Sequence, residues 1–250
     1  MQIVMPKKAE VQVKLKIVIF ILFVSVTLGL SVAFPIYMDY QKTVSDDPMV
    51  WEGDIQEFRN SDRASGIPDH PIVFVGSSSI RLWENLKGTI SNRPVLNRGF
   101  GGARIADIEY YLEDLVLKYN PDMVVLYVGV IDLALEKGEI KDSVFESLYT
   151  LSKSIREELP SAKIAIVALR PSPYRKETFS EYARFNRNIK RVSEKDSHIY
   201  YIDANGSVVD ESGALRKDIY SFDRQHLNEI GYSLWGSEIE GSISEILKEL

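Results

Sequence analysis

Cysteine is absent from the 250 residues, and histidine occurs only at His70, His198 and His226. The first absence excludes disulfides and thiolate chemistry. The second leaves three separated imidazoles, no two at metal-ligand spacing, so neither a metal nor an organic cofactor is expected. Basic charge is also short: 30 Lys and Arg against 36 Asp and Glu give a formal net charge of −6, and no basic stripe marks a nucleic-acid partner. Internal repeats and low-complexity tracts are missing. What remains, with 45% hydrophobic residues, is an ordinary globular composition long enough for a sizeable core.

One uninterrupted apolar run stands out. Ile17 to Ile36 is 20 residues without a charge, and a helix of that length spans about 30 Å, the hydrocarbon thickness of a bilayer. Residues 1–16 hold four lysines against one glutamate, a net +3 that leaves −9 on the rest of the chain. By the positive-inside rule, 1–16 is expected as a cytoplasmic tail, 17–36 as a single-pass signal anchor, and everything beyond Tyr37 as extracytoplasmic. Ser31-Val32-Ala33 matches the small-x-small pattern of a signal-peptidase site, which would release a secreted protein after Ala33. The run exceeds the roughly 7–15 apolar residues of a signal peptide, which favours a retained anchor.

Residues 37–66 read as a polar linker with a short lead-in helix carrying Trp51, Ile55 and Phe58, closed by Pro68. From 67 to 250, near-continuous apolar strands (72–76, 94–97, 123–128, 163–169, 198–202) alternate with amphipathic helical stretches. That alternation predicts one α/β domain with a parallel sheet covered on both faces.

In such a sheet, ligands bind beyond the carboxyl ends of the strands. The first strand ends in Gly76-Ser77-Ser78-Ser79, where a hydroxyl would stand on a tight turn ahead of a helix with an apolar stripe of Ile80, Trp83 and Leu86. Ser78 is the candidate nucleophile. A serine hydroxyl needs an imidazole to take its proton and a carboxylate to orient that imidazole. Asp223 and His226, three apart ahead of the last helix, can supply both. Separately, each of the three reads as a turn, cap or core residue; together, at these positions, they point to nucleophilic catalysis. The glycines of Asn97-Arg98-Gly99-Phe100-Gly101-Gly102 mimic a dinucleotide fingerprint, but Arg104 stands where its third glycine belongs. Gly102 reads instead as an oxyanion donor beside the Ser78 N–H.

These blocks, in this order over about residues 51–250, resemble the GDSL/SGNH family of serine esterases and lipases. Ser77 replaces the family's usual aspartate. The α/β-hydrolase elbow is not matched, since Ile80 occupies its second glycine. The resemblance implies a single flavodoxin-like three-layer α/β/α domain with a five-stranded parallel sheet, a Ser78–His226–Asp223 triad, and an oxyanion hole including the N–H groups of Ser78 and Gly102. One block departs: the family's Gly-x-Asn-Asp reads Gly129-Val130-Ile131-Asp132, so its side-chain oxyanion donor is lost. Asn97, Arg98, Ile131, Asp132 and Arg170 are expected to line the site, with Arg98 or Arg170 as a replacement donor.

The expected activity is hydrolysis of carboxylic esters through an acyl-enzyme: short-chain acyl, lysophospholipid or acetylated-glycan esters, the anchor favouring lipid or cell-surface substrates. The competing expectation, motivated by Ile131, is a module that binds an acylated ligand with little or no turnover.

Overall fold

The computed structural model describes residues 7–90, 93–135 and 142–248; the first six residues of the expected tail and the last two of the expected domain lie outside these. The chain divides into two compact units, one ending at Lys42 and one comprising Thr43–Leu250. The first is built from α1 (Lys7–Val44), 38 residues in one helix. Its stretch Val11–Val44 is long and apolar enough to cross a membrane, and Phe20 and Leu28 on it are exposed.

The second unit includes the short helix expected between residues 37 and 66. After a 3₁₀ turn at Pro48–Trp51 comes α2 (Glu52–Ser65), and Trp51 and Ile55 are fully buried in the main core. Trp51 meets Phe100 edge-on at 5.5 Å, and Arg59 forks onto both oxygens of Asp114 at 2.9 and 2.6 Å. Burying an indole and a branched aliphatic of this size contributes several kcal/mol, enough to make this helix part of the domain.

Five parallel strands follow: β1 (Ile72–Gly76), β2 (Val95–Gly99), β3 (Met123–Tyr127), β4 (Lys163–Val167) and β5 (Ile199–Ile202), in spatial order β2-β1-β3-β4-β5. β1 and β3 are buried at every position, as central strands covered on both faces must be. The helices between and after them are α3 (Ser78–Arg81), α4 (Leu86–Thr89), α5 (Ile105–Tyr110), α6 (Leu112–Leu115), α7 (Val130–Leu135), α8 (Asp142–Glu158), α9 (Phe179–Ser193) and α10 (Glu229–Lys248). The stripe Ile80, Trp83, Leu86 is buried as expected, but the single helix expected there is two short pieces, α3 and α4. This strand order reverses between β1 and β3, so the crevice of a doubly wound sheet falls at their carboxyl ends.

Glycine lets the turn after β1 sit close. A Cβ on Gly76 would stand 2.2 Å from the Tyr127 carbonyl oxygen, and one on Gly99 2.4 Å from the Arg81 nitrogen. The first would force β1 away from β3, the second α3 away from β2.

Candidate active site

The turn that leaves β1 carries Ser77 as the N-cap of α3 and Ser78 as its first residue. Two contacts hold it: Asn97 Nδ2 donates to the Ile80 carbonyl at 2.7 Å, and Tyr232 Oη on α10 donates to the Ser79 carbonyl at 2.9 Å. Trp83 packs between Tyr232 and Trp235, with centroids 5.9 and 5.1 Å away. The start of α10 is thereby fastened to the turn after β1, and the residues just ahead of α10 are delivered to Ser78.

Those residues are Asp223 to His226. Asp223 Oδ1 accepts from the backbone N–H groups of Gln225 (2.9 Å) and His226 (3.0 Å), and Arg224 takes a left-handed φ of 57° to close the turn. Asp223 Oδ2 lies 2.5 Å from His226 Nδ1, and His226 Nε2 lies 2.7 Å from Ser78 Oγ. With Nδ1–H donating to the carboxylate, Nε2 is left as the acceptor of the serine proton. Partial burial pushes the Asp223 carboxyl up, but hydrogen bonds from the His226 ring and from the two backbone N–H groups outweigh it and hold the acid below its usual range.

Two hollows border this chain of three. One is a recess of about 20 Å³ whose wall includes Ser78, Ile131, Arg170, Ser172, Arg175 and Tyr182. The other is an open groove of about 760 Å³ reaching from Asp223 and His226 past Glu84, Asn85, Asn228 and Ser237.

The remaining expected lining residues divide. Ile131 and Arg170 are on the recess wall. Asn97, Arg98 and Asp132 are not on it. Asn97 braces the strand end, its Oδ1 accepting from Gly99 N at 2.9 Å. Arg98 turns toward α2, where it pairs with Asp62 and donates to Tyr119 Oη at 2.7 Å and to the Asn97 carbonyl at 2.9 Å. Asp132 reaches back under the loop after β2, Oδ1 accepting from Ile105 N at 3.2 Å; burial raises its pKa to about 6. Gly102 lies on the loop after β2, one strand over from Ser78 in the sheet, with Thr43 packed against its Cα. Arg175, Ser172 and Tyr182 were not anticipated. Their only sequence signal is closeness to the end of β4, because the 3₁₀ segment Pro173–Thr178 and α9 return over the sheet edge.

Comparison with known proteins agrees with this architecture. A comparison with curated proteins gives no significant match. Among solved structures, the chain is similar to a GDSL-like lipase from Bacteroides thetaiotaomicron (20% identity, 78% of this chain and 98% of that one, TM-score 0.63). It is also similar to a family 3 carbohydrate esterase from Clostridium thermocellum (18%, 73% and 98%, 0.56). A third is the C-terminal catalytic domain of peptidoglycan O-acetyltransferase A from Streptococcus pneumoniae (18%, 73% and 97%, 0.52). At such identities the likeness establishes the fold. Residues 74–234, spanning the turn after β1, the Asp223–His226 loop and the start of α10, match the model of the GDSL-like lipase/acylhydrolase family, and the chain belongs to that family of ester hydrolases.

Proposed function

We propose that the chain is a serine esterase that removes a short acyl group from a polar, carbohydrate-like alcohol held close to a membrane. The observation that carries this reading is the 2.7 and 2.5 Å relay from Ser78 Oγ through His226 to Asp223. Ser78 Oγ attacks the ester carbonyl carbon as its proton passes to His226 Nε2, and the carbonyl π pair moves onto oxygen. The tetrahedral intermediate collapses by breaking the bond to the alkoxide, which takes the proton back from His226 as the alcohol leaves. Water, deprotonated by the same imidazole, then releases the acid and restores Ser78. Asp223 orients the ring and stabilises its charged form. The N–H groups of Ser78 and Gly102, which donate to no other group among the described residues, serve the oxyanion.

Size and lining narrow the substrate. The recess is too small for an acyl chain, and the groove beside His226 presents carboxylate, amide and hydroxyl side chains alongside Leu82, Trp83 and Leu227. Among the described residues no long apolar channel borders Ser78, which argues against a long-chain acyl group and for acetyl or a similarly short one. Polar lining suits a hydroxyl-rich leaving alcohol.

Location follows from chain length. Thr43 packs on Gly102, and six residues separate it from the end of the apolar run at Ile36. Even fully extended, these seven steps cover about 25 Å. With α1 as a retained, N-in anchor, that short connection tethers the domain to the membrane, which favours a membrane-proximal surface glycan.

The test uses the full chain in detergent micelles. Hydrolysis of nitrophenyl acetate much faster than nitrophenyl palmitate, loss of both in Ser78→Ala, and fluorophosphonate label on Ser78 are expected. Equal rates for wild type and Ser78→Ala overturn the reading. Retained binding of an acetylated oligosaccharide with no label and no turnover selects the alternative that Ile131 motivates, a ligand-binding module.

A further inference from the structure

Two arginines are buried near the carboxyl end of the sheet, and their surroundings differ. Arg98, 5% exposed, is fully engaged: Asp62 takes its charge, Tyr119 Oη and the Asn97 carbonyl accept its N–H groups, and the Phe58 and Tyr119 rings cover its faces at 5.0 and 4.8 Å. Arg170, 4% exposed, has no carboxylate paired with it among the described residues. Its Nη2 donates to the Gln225 carbonyl at 3.3 Å, and its guanidinium lies over Tyr220 and Trp235 at 5.2 and 5.9 Å. Nε and Nη1 meet no acceptor among the described residues. A buried cation with a tyrosine hydroxyl, Tyr220, as its side-chain hydrogen-bond neighbour and no carboxylate beside it is costly to keep and cannot shed its proton, so a carbonyl oxygen brought to it finds a strong donor.

The recess gives that oxygen its place. Arg170 shares its wall with Ser78 and Ile131; half-buried Arg175 adds a second guanidinium, and no acid is on the wall. About 20 Å³ is room for one oxygen-sized group beside Ser78. The occupant is therefore a single oxygen held next to the nucleophile.

We propose that Arg170 takes over from the side-chain donor that Ile131 lacks, presenting an N–H to the carbonyl oxygen of the ester as Ser78 attacks its carbon. The π pair that moves onto this oxygen then develops its charge beside a fixed, buried cation, where such a donor is most effective. This rests on the Ser78–His226–Asp223 reading above and adds a residue to it.

The experiment measures kcat and KM for nitrophenyl acetate, and the rate of fluorophosphonate labelling, on the full chain in micelles. Arg170→Gln is expected to lower kcat and labelling rate by about 10²–10³ with KM little changed. Adding Ile131→Asn to that variant restores at least about tenfold, a rescue that loop support alone would not produce. Ile131→Asn in the wild-type background, which leaves Arg170 untouched, raises kcat by less than about tenfold, because the hole already has its donor. A rise of about 10²–10³ in that single variant, or an Arg170→Gln enzyme within a few-fold of wild type, overturns the proposal. So does an Arg170→Gln loss that Ile131→Asn fails to rescue. A wild type with neither turnover nor label refutes the triad reading, and this proposal with it; turnover that ignores both substitutions refutes this proposal alone.

Discussion

Thr43 sits on the α-carbon of Gly102: a Cβ built on the glycine would lie 2.4 Å from Thr43 Oγ1 and 2.6 Å from Cγ2. Thr43, in the last turn of α1, thus touches the proposed oxyanion loop. Gly102→Ala must displace either partner and is expected to lower kcat about tenfold or more, since a small shift of one oxyanion donor weakens it. Thr43→Ala alone leaves the rate near wild type and, combined with Gly102→Ala, recovers most of the loss. Additive effects in this double-mutant cycle would show that the two sites are uncoupled.

Asp223→Asn is the second expected outcome. Asp223 Oδ2 accepts from His226 Nδ1 at 2.5 Å, and the carboxyl is held below its usual range, so it remains an anion wherever the enzyme works. An amide that presents its NH₂ to Nδ1 stabilises the wrong tautomer and removes the acceptor from Nε2. A fall in kcat on the order of 10⁴ with KM nearly unchanged is expected by analogy with other triads. A fall below tenfold would leave the orientation of His226 to other groups.

Much of this arrangement is legible in the sequence. β1 runs over Ile72–Gly76 as its apolar residues and closing glycine suggest, and the other strands agree to within one or two residues. A buried parallel strand needs nothing beyond a short apolar run and a breaker. Ser78, Asp223 and His226 converge because strand ends are the one place where a doubly wound sheet gathers distant loops. Side-chain partnership is not legible. Arg98 and Arg170 each follow or end a strand, yet one finds Asp62 on α2 and the other does not. Spacing cannot distinguish them, because the partner is supplied by an element 36 residues away. The same holds for the short lead-in helix: its apolar spacing is legible, but only the packed structure shows Trp51, in the turn before α2, and Ile55, on α2, joining the main core.

That difference between the two arginines gives a third outcome. Asp62 accepts from Arg98 and from Tyr119 Oη (2.7 Å) and lies 2.9 Å from Lys118 Nζ. Arg98→Met leaves Asp62 buried without its main counter-charge, a loss expected at roughly 3–5 kcal/mol, or about 10 °C in Tm for a domain of this size. Activity of the folded fraction should persist, since this cluster lies outside the Ser78 recess. Thermal melting and specific activity separate the two effects; lost turnover at unchanged Tm would place Arg98 in the chemistry after all.

Asp132 sets the last expectation, on pH. Its Oδ1 accepts from Ile105 N, its Oδ2 meets no partner among the described residues, and burial raises its pKa to about 6 against an ordinary 3.8. Below about pH 3 the carboxyl is protonated both folded and unfolded, and contributes no pH-dependent term. As pH climbs from 3 through 6, the unfolded chain ionises first, and the folded state becomes relatively less stable. Above about pH 7 the penalty is complete, on the order of 3 kcal/mol. Asp132→Asn keeps the acceptor for Ile105 N and removes the charge, so its stability relative to wild type should rise between pH 3 and pH 8 by that amount. Urea midpoints at the two pH values measure it. A constant difference between variant and wild type would mean that Asp132 ionises normally in the fold, with water or Arg104 reaching its second oxygen.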